Sequence, residues 1–309
     1  MKRRSVGYLV TRAILWVFLG FMILFTLVPF IMILFTSFKT MPEINDVLHR
    51  NLFHRIVPDH FTNFTNYVKV ITGTSQLMNG VGFLVFIKNS LIVTLGSLIP
   101  AIVFSTMAGY AFAKFKFPFK FVMFFMILAA LMVPFQMIAV PLYIAISRVH
   151  LVNTYVGIMI PGFITAFGVL LMSEAMATIP DDYLEAARMD GASELWIFTR
   201  VATPMAVGSI LTLTVIKFLW TWNDYLWPLL VVNSEHLKTV TLGLASFSNA
   251  LFIVYTDLTA AVVLSMIPIV ILYAGTRRYM VNATSRARAR SRSRSTSGSP
   301  PLPHSARYT

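Results

Sequence analysis

The sequence predicts an all-α membrane protein with six transmembrane helices, and three observations carry that reading. Hydrophobic residues make up 57% of the 309 and charged residues only 12%. A soluble domain carries about 25% charged residues, so too few are present to cover a globule of this size, and a water-soluble enzyme is excluded. The apolar residues are gathered into uncharged runs long enough to cross a bilayer. The basic residues are unevenly shared between alternate loops.

A spanning helix needs roughly 20 apolar residues, and a backbone in lipid must satisfy its own hydrogen bonds, so such runs read as helices. Ala13 to Phe38 is uncharged, as are Asn89 to Ala113, Phe121 to Ser147, Leu151 to Ser173 and Leu258 to Thr276. A sixth run, Pro204 to Val232, is interrupted by Lys217 and Asp224. The expected spans are about 13–38, 86–112, 121–146, 152–174, 204–232 and 258–277. The first follows Lys2, Arg3 and Arg4, as a signal peptide would, but it exceeds an h-region of about 7–15 residues and lacks a small-residue cleavage site. Pro134 and Pro141 allow kinks in the third.

Thr239 to Thr256 is also uncharged, but Gly243, Ser246, Ser248 and Asn249 make it a weak membrane segment. Basic residues favour the cytoplasmic side. With six spans and the N-terminus inside, the inner segments hold 17 Lys and Arg and the outer loops six. A seventh span would export the most basic piece of the chain. The expected organisation is therefore a cytoplasmic N-terminus (1–12), a six-span body (13–282) with an inner loop at 175–203, and a cytoplasmic tail (283–309).

The outer loop from Lys39 to Gly82 is polar and is expected to fold over the outer face. His49, His54 and His60 lie in it at spacings that fit no zinc motif, and no metal site is expected. The tail alternates Arg and Ser before Ser297-Gly298-Ser299-Pro300-Pro301. Such a composition cannot bury apolar surface and is expected to be disordered. Attraction to lipid headgroups is a simpler role for it than nucleic-acid binding, and no function at all is simpler still. The chain contains no cysteine, no Gly followed by Lys, no G-x-G-x-x-G, no H-E-x-x-H and no G-x-S-x-G. It therefore lacks a phosphate-cradling loop and the common hydrolase motifs. Transport driven by ATP would need a separate ATPase chain.

Six of the twelve acids lie between Glu174 and Glu194, in an inner loop where bases are the norm. Pro180 stops the fourth span. Asp182 can cap a new helix, with Glu185 completing a capping box. Gly191 can take the left-handed conformation past that helix's end, and Ser193 can cap a second helix. A helix–turn–helix attached to a span is a lever.

These residues carry a resemblance. Glu185-Ala186-Ala187, Gly191 and Pro204 have the spacing of the EAA loop, E-A-A-x₃-G-x₉-I-x-L-P, of ABC-importer permeases. The string from Glu185 to Ser193 is similar to the carbohydrate-importer subfamily. Val201 and Thr203 replace the usual Ile and Leu. Lys88 to Thr94 resembles the opening of the family's second span. Ala108 to Ala113 with Phe117-Pro118 resembles its first inner loop, with Phe119 where Gly is common. Pro134-Phe135-Gln136, Pro141-Leu142-Tyr143 and Trp222 to Pro228 resemble its third and fifth spans.

The resemblance implies a maltose-permease-like, type I importer fold. It also implies a second permease subunit, two ABC ATPase subunits carrying ATP and Mg, and an extracytoplasmic sugar-binding protein. This chain would bind no cofactor. The ATPase would dock at Asp182, Glu185, Ala186, Ala187, Asp190 and Gly191, and the inner membrane would hold the chain with both termini in the cytoplasm. A stand-alone secondary transporter or channel is the alternative. It predicts an internal repeat and intramembrane acids, and only Asp224 is available.

Thr214, Lys217, Thr221 and Asp224 are spaced three, four and three apart, which places them on one helical face beside Asn223. Ionisable residues in a span usually face protein or a water-filled cavity. The face either lines the pathway or the seam with a partner subunit, or simply neutralises groups on neighbouring helices. Trp220, Trp222, Tyr225 and Trp227 suggest either a membrane-interface belt or a sugar-stacking surface, the belt being preferred.

Overall fold

The computed structural model describes residues 6–46, 51–75, 78, 80–247 and 254–296. His49 and the ends 1–5 and 297–309 lie outside them, as does part of the Thr239–Thr256 segment. Among the described residues there are helices and no strands. The elements are α1 (Val6–Phe38), α2 (Met41–Asn45), α3 (Leu52–Ile56), α4 (Thr65–Thr72) and α5 (Phe83–Lys114). α6 (Lys120–Leu131), α7 (Phe135–Arg148), α8 (Tyr155–Met159) and α9 (Ala166–Ala177) follow. Then come α10 (Asp181–Met189), α11 (Glu194–Ile197), α12 (Thr203–Met205), α13 (Val207–Trp222), α14 (Leu226–Val231), α15 (Val240–Ser246) and α16 (Tyr255–Thr296).

Among the described residues three helices are long and apolar enough to cross a membrane, and three bent pairs bring the count to as many as six. Kinks were expected only in the third span, and the bends are more numerous and sharper than that. The third is split between α6 and α7 by a turn of 103° at Met132–Pro134. Pro134 has no N–H to give, and it disfavours helical geometry at Val133. Pro141 stays inside α7. The fourth is broken after the 3₁₀ turn Ile160–Gly162 and restarts at α9, where Thr165 Oγ1 accepts the Gly168 N–H at 3.0 Å. The fifth was expected as one run, 204–232, but its helix stops at Trp222 and a short α14 resumes at Leu226. α15, seven residues long, reaches only about 10 Å at 1.5 Å per residue, too short to cross.

The last helix also departs from expectation. The tail from residue 283 was expected to lack structure, yet the α16 backbone is helical to Thr296. Extending an existing helix is far easier than nucleating one. Ala and Arg are good helix formers, and no Gly or Pro intervenes before Gly298.

The helices gather into two compact units, one of 1–93, 145–158 and 222–268, the other of 94–144, 159–221 and 269–309. In the first, the outer loop is tied to the end of α1. Asn66 is buried and donates to the carbonyls of Ser37 and Lys39, both at 2.8 Å. Lys39, also buried, donates to the Arg55 carbonyl. Farther along, Ser75 Oγ donates to the buried carboxylate of Asp257 at 2.8 Å, joining the loop to the start of α16. The Asn89-Ser90 pair of α5 holds the segment before α15. The Asn89 amide donates to the carbonyls of His236 and Lys238 at 2.7 and 2.9 Å, and Ser90 Oγ accepts the Val240 N–H at 2.8 Å.

In the second unit α5 and α9 approach until backbone meets backbone. A Cβ added at Gly109 would lie 2.6 Å from the Met172 carbonyl carbon and 2.7 Å from the Ser173 nitrogen. One at Gly168 would lie 2.4 Å from Ser105 Oγ. Membrane helices pack through small residues because lipid supplies no hydrophobic drive between them.

Candidate functional site

The acidic loop folds as two helices joined by a tight turn. Asp182 does not cap the first, contrary to expectation. Pro180 occupies the N-cap, with its fixed φ near −60°, and offers no side-chain acceptor. Asp181 and Asp182 fall instead in the first turn, where the helix dipole favours carboxylates. Asp181 is held by Lys114, from the end of α5, at 2.6 Å, and the same ammonium donates to the Ile179 carbonyl at 2.6 Å. The Lys114 side chain is only 6% exposed. Its hydrogen bond and charge keep the Asp181 carboxyl below the ordinary carboxylate range.

The turn explains the E-A-A-x₃-G spacing. Gly191 has φ +80°. Its N–H donates to the Arg188 carbonyl at 3.0 Å, and the Ala192 N–H reaches back to the Ala187 carbonyl at 3.0 Å. The Asp190 N–H bonds the Ala186 carbonyl at 3.1 Å. Two bonds nested around a left-handed residue make a Schellman ending, which satisfies carbonyls the helix would leave orphaned. Ser193 then caps α11 as expected, its Oγ accepting the Trp196 N–H at 3.3 Å. α11 continues through a π turn, Phe198–Ala202, into α12.

Side chains fix the angle of this turn. Arg188 Nε donates to Glu194 Oε1 at 2.6 Å across it, and Tyr110, from α5, donates to Glu194 Oε2 at 3.3 Å. The Arg188 hydrogen bond draws the Glu194 carboxyl below its usual range, and Glu194 in turn raises Arg188. Beneath lies a core of Leu184, Ile197 and Ala202 with Tyr110, Met172, Met176, Ile179 and Leu213. The lever is thus packed onto α5, α9 and α13 rather than hanging free. Nothing local in the sequence marked Lys114, Arg188, Glu194 or Tyr110. Arg188 and Glu194 are six apart, which is no helical spacing, and the other contacts close over long stretches of chain.

The opposite face is open. Asp182, Glu185, Ala186 and Asp190 are exposed, while Ala187 is half-buried against the core. Met189, at 88% exposed, Tyr183, Leu195 and Trp196 add large apolar surface among these acids. Apolar patches rimmed by charge on a loop outside the spans mark interaction surfaces.

The polar stripe is shorter than expected. Thr214, Lys217 and Thr221 share α13, but the helix ends at Trp222, so Asn223 and Asp224 leave its face. Asp224 Oδ1 accepts the Trp227 N–H at 3.4 Å at the start of α14, and its carbonyl accepts from Thr241 at 2.6 Å. Thr214 Oγ1 donates to its own helix, at the Ile210 carbonyl. Lys217 is buried, and a Cβ at Gly162 would lie 2.8 Å from its Nζ. The ammonium therefore rests against the interruption of the fourth span. Trp227 is buried and donates to the Gly157 carbonyl at 3.2 Å, so its ring packs on protein. Trp220 stacks edge-on to Phe167, centroids 5.1 Å apart.

If that seat matters for the pathway, Lys217→Met should impair uptake without loss of membrane abundance. Gly162→Val, which would push the ammonium away, should reproduce it. Normal uptake by both variants would reduce the stripe to packing.

Residues 101–286 match the family model described as binding-protein-dependent transport system inner membrane component. The chain belongs to that family. It is a membrane-embedded permease subunit of an ABC importer, not a stand-alone transporter, and ATP is hydrolysed by a separate subunit. The arabinooligosaccharides transport system permease protein AraQ of Halalkalibacterium halodurans is 28% identical, over 91% of this chain and 96% of its own. The lactose transport system permease protein LacG of Rhizobium radiobacter is 31% identical, over 72% of this chain and 84% of its own. The sn-glycerol-3-phosphate transport system permease protein UgpE of Pectobacterium atrosepticum is 31% identical over 66% and 73%. A chain from a bacterial ABC transporter involved in alginate import shares the fold, with TM-score 0.78 and 23% identity, over 90% of this chain and 99% of that one.

Proposed function

We propose that this subunit pairs with a second, similar permease to form the pathway for a sugar or sugar-like solute, and that its lever receives the motion of an ATPase. Two ATPase chains carrying ATP and Mg would sit beneath the pair, each gripping one permease's EAA helix. An extracytoplasmic binding protein would deliver the solute. Both termini and the lever would face the cytoplasm, and Glu235 the outside.

The observation that carries the reading is the two-faced lever. Its inner face is locked to three membrane helices by a buried core and the Lys114–Asp181 ion pair, and the Arg188–Glu194 pair braces its turn, so a push on it moves the spans. Its outer face combines acids with exposed Met189 and Trp196, the mix a docking groove can hold. The sugar assignment rests on relatives named for arabino-oligosaccharides and lactose, with glycerol 3-phosphate as the sugar-like extreme. Proteoliposomes holding the complete transporter and its binding protein should accumulate a member of that panel only when ATP reaches the lever side. ATP-independent uptake, or uptake of none of these solutes alongside an unrelated one, would overturn the proposal.

A further inference from the structure

Between α5 and α6 the chain reads Phe115-Lys116-Phe117-Pro118-Phe119-Lys120-Phe121, alternating aromatic and cationic residues with no acid among them. The loop joins the end of one span to the start of the next, so it sits where the hydrocarbon ends. Phe119 has φ +59°, a conformation that bulky residues rarely adopt. Such conformations persist where surroundings enforce them, often at functional sites. Here the outcome is a ring held 77% exposed, beside Phe121 at 81%. Below them opens a cleft of about 400 Å³ lined by Phe112, Phe121, Phe124, Ser173 and Lys120. That volume lies within the usual range of small-molecule sites, about 300–1,000 Å³. Lys120 Nζ donates to the Phe115 carbonyl at 3.1 Å, which holds the ammonium at the loop.

We propose that this cleft binds an anionic phospholipid, with the phosphate at Lys120 and Lys116 and an acyl chain laid against Phe112, Phe121 and Phe124. An apolar trough with Lys120 in its lining, and the exposed Lys116 four residues before it, has the charge and the two-part polarity of that ligand. Lys114, the third base nearby, is engaged by Asp181. A lipid phosphate beside α5 would therefore sit next to the residue that anchors the lever. Basic pockets between spans bind anionic headgroups in this way. The proposal does not depend on which solute is carried.

Native mass spectrometry of the purified transporter, stripped of lipid and titrated with phosphatidylglycerol or phosphatidylcholine, tests this. The wild type should prefer phosphatidylglycerol. Lys116→Gln with Lys120→Gln should lose that preference, about fivefold for each lysine. Ser173→Leu, which fills the cleft from α9, should weaken binding of both lipids. Phe121→Ala, at an exposed position that folding does not need, should do the same by removing the acyl contact. Equal binding of the two lipids by the wild type would overturn the site. So would unchanged preference in the lysine variant, or a partner chain's segment found cross-linked into the cleft.

Discussion

Gly109→Leu should leave almost no folded subunit in the membrane. The α5 and α9 backbones meet at this glycine. Even a methyl group there would lie 2.6 Å from both the carbonyl carbon and the Cβ of Met172, which is fully buried. The obstacle is main chain, so no rotamer change relieves it and the helices must part. Overpacking costs about 1–3 kcal/mol where side chains can adjust, and here they cannot. The lever's core includes Met172 and Met176 of the same helix, so separation would also loosen the loop. Gly109→Ala should lower thermal stability and abundance by a smaller step. Gly20→Leu is the control, because nothing lies within 4 Å of a Cβ there. Thermal unfolding of purified transporter and membrane immunoblots read both. Wild-type abundance of Gly109→Leu would mean that α5 and α9 do not pack as described.

Gly191→Val and Glu185→Lys should abolish coupled transport while leaving insertion intact. At Gly191 space is not the issue, since nothing lies within 4 Å of an added Cβ. The backbone is, because φ is +80° and a side chain costs about 1–2 kcal/mol in the left-handed region. A β-branched residue would favour another turn and re-aim α11, straining the Arg188–Glu194 pair. Gly191→Asn, which tolerates that region better, should retain most activity, and this contrast isolates conformation from bulk. Glu185→Lys reverses charge on the open face. Truncating a buried interfacial charge costs about 2–5 kcal/mol, which is some thirtyfold or more in affinity. Both variants should keep wild-type membrane abundance and lose either ATPase co-purification or the rise in ATP hydrolysis with loaded binding protein.

Much of this architecture was legible in the chain because membrane burial and turn chemistry are local rules. Uncharged runs located the spans, Gly191 and Ser193 announced the turn and the second helix, and the glycines and serines of Thr239–Thr256 argued against a seventh span. Interruptions inside spans were harder to place. A proline permits a break without requiring one, and Pro134 breaks the third span while Pro141 does not. The stripe failed at Asp224 for a similar reason. Helical spacing was carried past Trp222, where the side chain of Asp224 turns back to the start of α14. The network around Glu194 was invisible because Tyr110 lies 84 residues from Glu194 and Lys114 lies 67 from Asp181 in sequence, and only folding closes such distances. The EAA pattern was read as a docking surface. Part of its spacing, from Ala187 to Gly191, also encodes the Schellman turn that shapes the lever.

Site-directed cross-linking at Met189 bears most directly on the lever as the transmission element. The chain has no cysteine, so Met189→Cys supplies a unique thiol on the open face, and Glu235→Cys supplies one on the side proposed to face outward. In the assembled transporter the expected result is a Met189 cross-link to the ATPase subunit whose yield changes when ATP binds, with none from Glu235. An ATPase that stays bound and active, yet never cross-links to position 189, would contradict the proposed role of the lever.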